Sequence, residues 1–406
     1  MLIQFSCENF GSICSNVTLS MKIPEQDYEG SILEDSRLIE NQYSRVAEIY
    51  GANGTGKTTI LTAIYVMATL VRISNNDYFI SNKDFSIGKY YNPHKRKINE
   101  STLFYIYFIK NNRKYYYELS YLGNSFKTEK LYYQSDKSEK KLDLIFEKIK
   151  NGYDIGHDFK NILNDSKKDF KTISKKLQEN ELLLSVAGTT NLNNEIIKDA
   201  YDFITNDIVL YQAQTIKERR RTSIDILRNN DDIKRKYIEF MQTVDKTFET
   251  FEIDSDNENN YIVKNKYKNF DDYIPLTQES SGIQNMFDSM SLIFSVLNDG
   301  KVLICDEWER TFHPLIIKEL IKKFLYNKKS NAQIIITTHC TDLLDNNLLR
   351  KDQIWFTNLK ADNRETDLYA LSDFKGISSF DDIRNDYLAG RYGAIPVLDD
   401  MTKEEL

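Results

Sequence analysis

Residues 51–58 read Gly-Ala-Asn-Gly-Thr-Gly-Lys-Thr, a complete G-x-x-x-x-G-K-[ST] octet, and no other stretch constrains the fold as much. Its glycines let successive backbone N–H groups turn inward onto phosphate oxygens, an arrangement that works between a strand and a helix. Both flanks agree. Ser44–Tyr50 carries Val46 and Ile49 and reads as a short buried strand; Thr58–Val71 is apolar, lacks Gly and Pro, and reads as a helix. The positive end of that helix favours an anion. The expected ligand is a nucleoside triphosphate with Mg2+. Gly51, Asn53, Gly54, Thr55, Gly56 and Thr59 would surround the phosphates, Lys57 would reach the β- and γ-phosphates, and the Thr58 hydroxyl would meet the metal.

The 406 residues allow one large domain with an insertion, or two domains. Hydrophobic content of 41% and charged content of 28% fit a globular protein. The apolar stretch Ile64–Val71 is too short to span a bilayer, and the opening residues MLIQFSCENF lack a basic region followed by an apolar core. No membrane association is therefore expected, and the expected compartment is the cytoplasm. Cys7, Cys14, Cys305 and Cys340 show no C-x-x-C spacing, which argues against a zinc site or a disulfide framework. A formal net charge of −7 argues against a general nucleic-acid coat and leaves room for a local basic patch. The sharpest basic run is Lys217–Arg221 (KERRR), whose first reading is a solvated helix face or loop and whose second is a nucleic-acid or partner contact.

Leu2–Cys7 and the alternating Asn16–Met21 read as a hairpin ahead of the glycine loop. Residues 101–148 read as an antiparallel meander. Thr102–Ile109 and Lys114–Tyr121 flank a turn at Asn111-Asn112, and Lys127–Gln134 and Leu142–Phe146 continue the pattern. Its tyrosines suit strand packing better than base stacking. From Asp158 to about Thr250 the pattern turns helical and charged, with candidate helices Asp158–Val186, Asn193–Asn206 and Asp232–Phe251. This region is too short, and too poor in heptads, for a coiled-coil arm. The expected division is residues 1–150 as an N-terminal lobe, 151–270 as a mostly helical insertion, and 271–406 as a C-terminal lobe.

A second cluster of motifs lies in that last part. Lys301–Cys305 (KVLIC) is a buried-strand run followed by Asp306 and Glu307. Such a strand, parallel to the first, would deliver Asp306 to the Mg2+ shell, and Glu307 would orient or deprotonate an attacking water. Gln333–Thr338 (QIIITT) is a further buried-strand run that ends in His339, placed where a γ-phosphate could be sensed. Ser280, Ser281 and Gly282 precede a helix expected over Asn285–Leu297 and make a second anion-binding helix start. One nucleotide needs only one such start. A second copy of the chain resolves the surplus if each copy closes over the nucleotide held by the other.

The order P-loop, Ser-Ser-Gly before a helix, strand-Asp-Glu, strand-Thr-Thr-His resembles that of ABC-type ATPases of the SMC/RecF/OLD kind. The segments MLIQFSCENFGSICSNVTLSM, ESSGIQNMF, DEWERTFHPLIIKELIKKF, IITTHCTDLLD and YLAGRYGAIP further resemble the AbiLi/RloA group of abortive-infection ATP-binding proteins. The resemblance covers residues 1–70 and 275–400. It implies an α/β fold, an ABC-type P-loop ATPase head with a mixed central sheet, flanking helices and an antiparallel β-subdomain, plus a helical insertion. It also implies ATP and Mg2+ as ligands and a head-to-tail dimer across two nucleotides, or a higher oligomer. By the same resemblance, Gly51–Thr58 form Walker A and Ser280–Gly282 the signature loop. Asp306 and Glu307 form Walker B, His339 is the switch histidine, and Thr311–Pro314 lie near the dimer interface. Two departures stand out: Gly11 replaces an arginine after Asn-Phe, and Ser281 replaces the glycine of transporter signatures. No glutamine is assigned to the Q-loop.

With residues 340–406 alone following His339, a C-terminal Toprim nuclease is not expected within this chain. The expected function is therefore an ATPase of a bacterial anti-phage system. It would sense infection or control a partner effector, with a Toprim-type nuclease from the same locus as the expected partner. The rival reading is a RecF/SMC-like repair or chromosome-associated ATPase that binds DNA directly.

Overall fold

The computed structural model describes residues 1–24, 43–75, 99–123, 125–134, 142–150, 152–157, 159, 167–190, 194–255, 261–327, 329–377 and 381–396. The chain opens with β1 (Leu2–Glu8), β2 (Val17–Ser20) and β3 (Val46–Tyr50), and the glycine loop leads from β3 into α1 (Lys57–Ile73). A run of strands follows: β4 (Thr102–Lys110), β5 (Arg113–Leu122), β6 (Ser125–Gln134), β7 (Asp143–Ile149) and β8 (Gly152–Ile155). Helices α2 (Lys167–Lys176), α3 (Leu183–Thr189) and α4 (Glu195–Asp202) come next, then the short β9 (Ile208–Leu210). Helices α5 (Ile216–Asn229) and α6 (Asp231–Val244) precede β10 (Phe248–Ser255), β11 (Tyr261–Tyr267) and β12 (Ile274–Pro275). The last part holds α7 (Ser281–Asp299), β13 (Val302–Cys305), α8 (Pro314–Leu325), β14 (Gln333–Thr337), β15 (Ile354–Leu359), β16 (Thr366–Ala370) and α9 (Ile383–Leu388).

The α/β expectation holds. A six-stranded mixed sheet runs β16-β15-β3-β14-β13-β9, with only β16 antiparallel to its neighbour. Every residue of β3, β13 and β14 is buried, as a parallel sheet covered on both faces requires. Ala47, Ile49, Ile304 and Ile335 pack on α1 and the seven-stranded sheet, while Val46, Tyr50, Leu303 and Ile336 pack towards α7 and α8. Two hydrophobic cores thus share one sheet.

The meander belongs to a seven-stranded antiparallel sheet, β2-β1-β4-β5-β6-β7-β8. Asn111 and Asn112 turn the β4–β5 hairpin at φ 48° and 59°, the left-handed pair that matches strand twist. Phe104, Ile106 and Phe108 alternate into the core. On the opposite face Tyr116 packs on Tyr107 at 4.4 Å and on Tyr132 at 5.7 Å between ring centroids, with the rings tilted, so these tyrosines pack against one another across strands.

The middle of the chain departs from the helical expectation in three places. Within the expected helix Asp158–Val186, α2 ends at Lys176 and α3 begins at Leu183; Asp158 and residues 160–166 lie outside the described residues. The buried Glu129 carboxylate of β6 accepts the Leu183 and Leu184 N–H groups at 2.8 and 3.0 Å, so a tertiary partner fixes a helix start that no local residue signals. The helix expected to reach Phe251 stops at Val244. Asp245 accepts from both the N–H and the hydroxyl of Thr247, a side-chain turn that redirects the chain into β10. The segment after α4 winds as a π-turn over Phe203–Asp207 and delivers β9 to the edge of the central sheet beside β13.

Candidate nucleotide site

β3 lies between β14 and β15, and the glycine loop leaves it at the carboxyl end of the parallel strands, where such sheets place ligands. Gly56 caps α1 at φ 104°, and a Cβ there would stand 2.2 Å from Thr366 Oγ1. Thr366 Oγ1 donates to Thr55 O at 3.0 Å, and Thr55 Oγ1 shares a hydrogen bond with Thr357 Oγ1 at 2.7 Å. The last two strands therefore brace the loop. Lys57 Nζ donates to Gly51 O at 2.8 Å and Ala52 O at 3.0 Å. Burial lowers its pKa, opposed by the charges of Glu307, Asp306 and Glu309. No side chain caps α1 and its first turn carries no acid, which leaves its leading N–H groups for an anion. Asn53 and Gly54 form the exposed crest of the loop. Thr59 is half-buried beneath Ser12 Oγ at 3.4 Å and Gly11. A Cβ on Gly11, at φ 57°, would stand 2.6 Å from Thr59 Cγ2, so the glycine in place of arginine lets this turn sit directly on the start of α1.

The Asp306-Glu307 pair meets the glycine loop directly. Thr58 Oγ1 donates to Asp306 Oδ2 at 2.9 Å, Thr337 Oγ1 donates to Asp306 Oδ1, and Glu307 N donates back to Thr337 Oγ1 at 2.9 Å. Gln212 Nε2, just past β9, donates to Asp306 O at 2.5 Å. The Thr58 hydroxyl and the Asp306 carboxylate are adjacent hard oxygen donors, the set that suits a Mg2+ ion shared with substrate phosphates. Among the described residues no cluster of three His, Cys, Asp or Glu side chains forms a cage of its own.

Glu307 occupies the left-handed region at φ 45°, which is rare for a residue with a side chain. Its carboxylate lies 2.5 Å from Arg310 Nε and 3.8 Å from His339 Nε2. The His339 N–H donates to Glu309 Oε1 at 2.6 Å. Burial first, and Lys57 second, lower the His339 pKa below its usual value, against Glu309 and Glu307. Lys57, Thr58, Asp306, Glu307 and His339 thus gather in one place.

Ser280, Ser281 and Gly282 are not part of that gathering: none of their hydrogen bonds among the described residues reaches the glycine loop or Asp306. Ser280 Oγ accepts the Ile283 N–H at 3.4 Å as the N-cap of α7, which starts four residues earlier than expected. Ser280 and Ser281 are exposed. In Thr311–Pro314, His313 Nδ1 caps α8 through Leu315 N at 3.2 Å, and Pro314 takes its first position. Two arginines of the basic run are engaged by the fold, while Lys217 and Arg221 are exposed. Arg220 pairs with the buried Asp288, and Arg219 lies 4.7 Å over the Tyr211 ring. Sequence reasoning missed Gln212, Glu309, Thr337, Thr357 and Thr366. The Thr-Thr before His339 was a signal for Thr337; the others carry no local pattern.

A family profile described as "AAA domain, putative AbiEii toxin, Type IV TA system" matches residues 46–345. A comparison with curated proteins finds no match. Similar solved structures include an Smc head bound to the C-terminal winged-helix domain of ScpA, 13% identical, covering 91% of this chain and 97% of that one at a TM-score of 0.48. The SMC head domain from Thermotoga maritima is 14% identical over 91% and 98% of the two chains at 0.42. A Pyrococcus furiosus Smc head with an extended coiled coil is 11% identical over 92% and 97% at 0.42.

Proposed function

The chain belongs to this AAA-domain family, and from that premise we propose that it binds ATP with Mg2+ and hydrolyses it to ADP and phosphate in a homodimer. The observation that carries the proposal is the direct bond from Thr58 to Asp306 with Glu307 and His339 beside it. Lys57 would hold the β- and γ-phosphates. Thr58 and Asp306 would hold Mg2+, which neutralises charge developing on the phosphates. Glu307 would orient and deprotonate the attacking water, and His339 would donate a hydrogen bond to the γ-phosphate. Gln212 fits the glutamine that the sequence left unassigned. Ser280–Gly282, with both serines exposed at the start of a long helix, would close over the nucleotide of a second copy.

In this reading residues 1–150 and 271–406 are the two ATPase lobes and 151–270 an insertion, except that β8 and β9 within it complete the two large sheets and Gln212 reaches Asp306. The chain is a cytoplasmic member of the AbiLi/RloA-like group, and it controls an effector encoded beside it in an anti-phage system. Nucleotide held at a subunit interface makes assembly state-dependent, so turnover can bias a partner between two states. The direct DNA reading loses part of its support, because Arg219 and Arg220 are engaged with Tyr211 and Asp288, which leaves Lys217 and Arg221 as the exposed cations of the run.

Glu307→Gln tests the chemistry. The variant is expected to bind ATP, to hydrolyse it roughly 10²–10⁴-fold more slowly, and to accumulate an ATP-bound dimer by analytical ultracentrifugation. Normal turnover would sink the assignment of Glu307.

A further inference from the structure

We infer that the basic run Lys217–Arg221 is a mechanical link. Arg220, with Tyr211, would act as a positioning residue that ties the exposed start of α7 to the Walker B end of the same chain. The contacts form a continuous path. At one end Gln212 holds Asp306 O at 2.5 Å. Its neighbour Tyr211, buried, shares a hydroxyl–hydroxyl bond with Ser289 of α7, and Ser289 Oγ donates to Asn285 O at 2.6 Å. Arg219 covers the Tyr211 ring and donates to Gln214 O at 2.8 Å, fixing that turn to α5. Arg220 reaches from α5 to α7: its Nη2 donates to Asp288 Oδ2 at 2.8 Å and to Gln284 Oε1 at 3.2 Å. Gln284 Nε2 in turn donates to Glu279 O at 2.9 Å, the residue just before Ser280.

The chemistry of the pair favours a set geometry over mere stability. Asp288 is 1% exposed in its side chain, so the Arg220 fork is the charge partner that makes its burial tolerable. A planar guanidinium gripping a carboxylate and an amide oxygen leaves little freedom to slide. Any shift of Gln212 with Asp306 would therefore move α5 and the cap of α7 together. The inference rests on the dimer reading above: the start of α7 faces the other copy's nucleotide, while Gln212 reads this copy's own. Occupancy of one site then alters closure over the other, which is a coupling free energy between two sites.

The test compares wild type, Glu307→Gln, Arg220→Ala, Arg220→Lys, Tyr211→Phe and the paired variant Arg220→Gln/Asp288→Asn, which leaves no lone buried charge. Three quantities are read: affinity of the dilute single chain for a fluorescent ATP analogue, ATP-dependent dimerisation, and the Hill coefficient of hydrolysis. Arg220→Ala and the paired variant are expected to keep single-chain affinity within about twofold, to weaken dimerisation about tenfold or more, and to bring the Hill coefficient to one. Arg220→Lys restores part of the dimerisation, and Tyr211→Phe shows a smaller loss in the same direction. Unchanged dimerisation and cooperativity in the folded paired variant, while wild type dimerises, overturns the inference. Failure of both wild type and Glu307→Gln to dimerise with ATP overturns the underlying dimer reading instead.

Discussion

The glycine loop and the start of α7 both read from the sequence as phosphate-binding helix starts, yet the protein treats them in opposite ways. The loop is held from all sides: Thr357 and Thr366 brace its backbone, Lys57 folds into it, and Thr58 is bonded to Asp306. Ser280 and Ser281 are exposed, and the flanking residues turn away from the loop. Glu279 accepts from Asn265 at 2.9 Å and from Tyr267 at 2.8 Å on β11, while Gln284 meets Arg220. One start is assembled for the chain's own ligand, and the other is presented outward. In the proposed dimer, a site built of one fixed half and one offered half would use assembly itself as its switch.

The comparison breaks most directly at Lys57. Lys57→Ala is expected to weaken ATP binding by the single chain at least a hundredfold, about 3 kcal/mol, in a fluorescence titration. If affinity survives, the loop is not the fixed half. The strand beneath the loop gives the next effect. Glu48 is fully buried on β3, bonded to Tyr50 OH at 2.6 Å, and burial pushes its pKa up to about 8. Its folded pKa exceeds the unfolded value, so its stabilisation is present below about pH 4.5 and is lost as pH rises through 8. Glu48→Gln removes that loss. Relative to wild type it should gain about 2 kcal/mol between pH 6 and pH 8, read from urea unfolding at both values. Equal pH slopes would show that Glu48 is not the buried acid described.

Gly282→Arg addresses the offered half. Hydrolysis should fall about tenfold while the dilute chain's ATP affinity stays within about twofold. A loss of affinity in the single chain would place Gly282 in the chain's own site and erase the contrast. The smallest effect is expected at Thr366→Val, which removes the bond to Thr55 O. It should cost about 1 kcal/mol of stability and a few-fold in ATP affinity.

The sequence showed the fixed half more clearly than anything else. Gly51–Thr58, Asp306-Glu307 and His339 are local patterns whose chemistry demands strand ends, and the fold puts them at neighbouring strand ends. The β1–β2 hairpin and the meander were legible through alternation and the Asn-Asn turn. The parts that failed to show depend on partners distant in the chain. β9 has three residues and joins the sheet through β13, more than ninety positions away in register, so periodicity carries no trace of it. Gln212, Thr357 and Thr366 look like ordinary polar residues until the sheet brings them to the loop. The end of α6 was missed because an Asx turn at Asp245 overrode a helical spacing of apolar residues that continues past it. The basic run was legible as charge, but not as an internal clamp, since its partner Asp288 looks like any acid on a helix.

The order of the central sheet also sets a schedule for the nascent chain. Both neighbours of β3 are made late, β14 beginning at Gln333 and β15 at Ile354, and the two threonines that brace the glycine loop lie later still. During synthesis the GKT octet leaves the ribosome early, but its strand has no sheet to join and its loop no brace. The loop therefore waits for its neighbours until the chain has been made through Thr366, so a product that stops before β15 would carry the motif without one of its adjoining strands or its threonine braces.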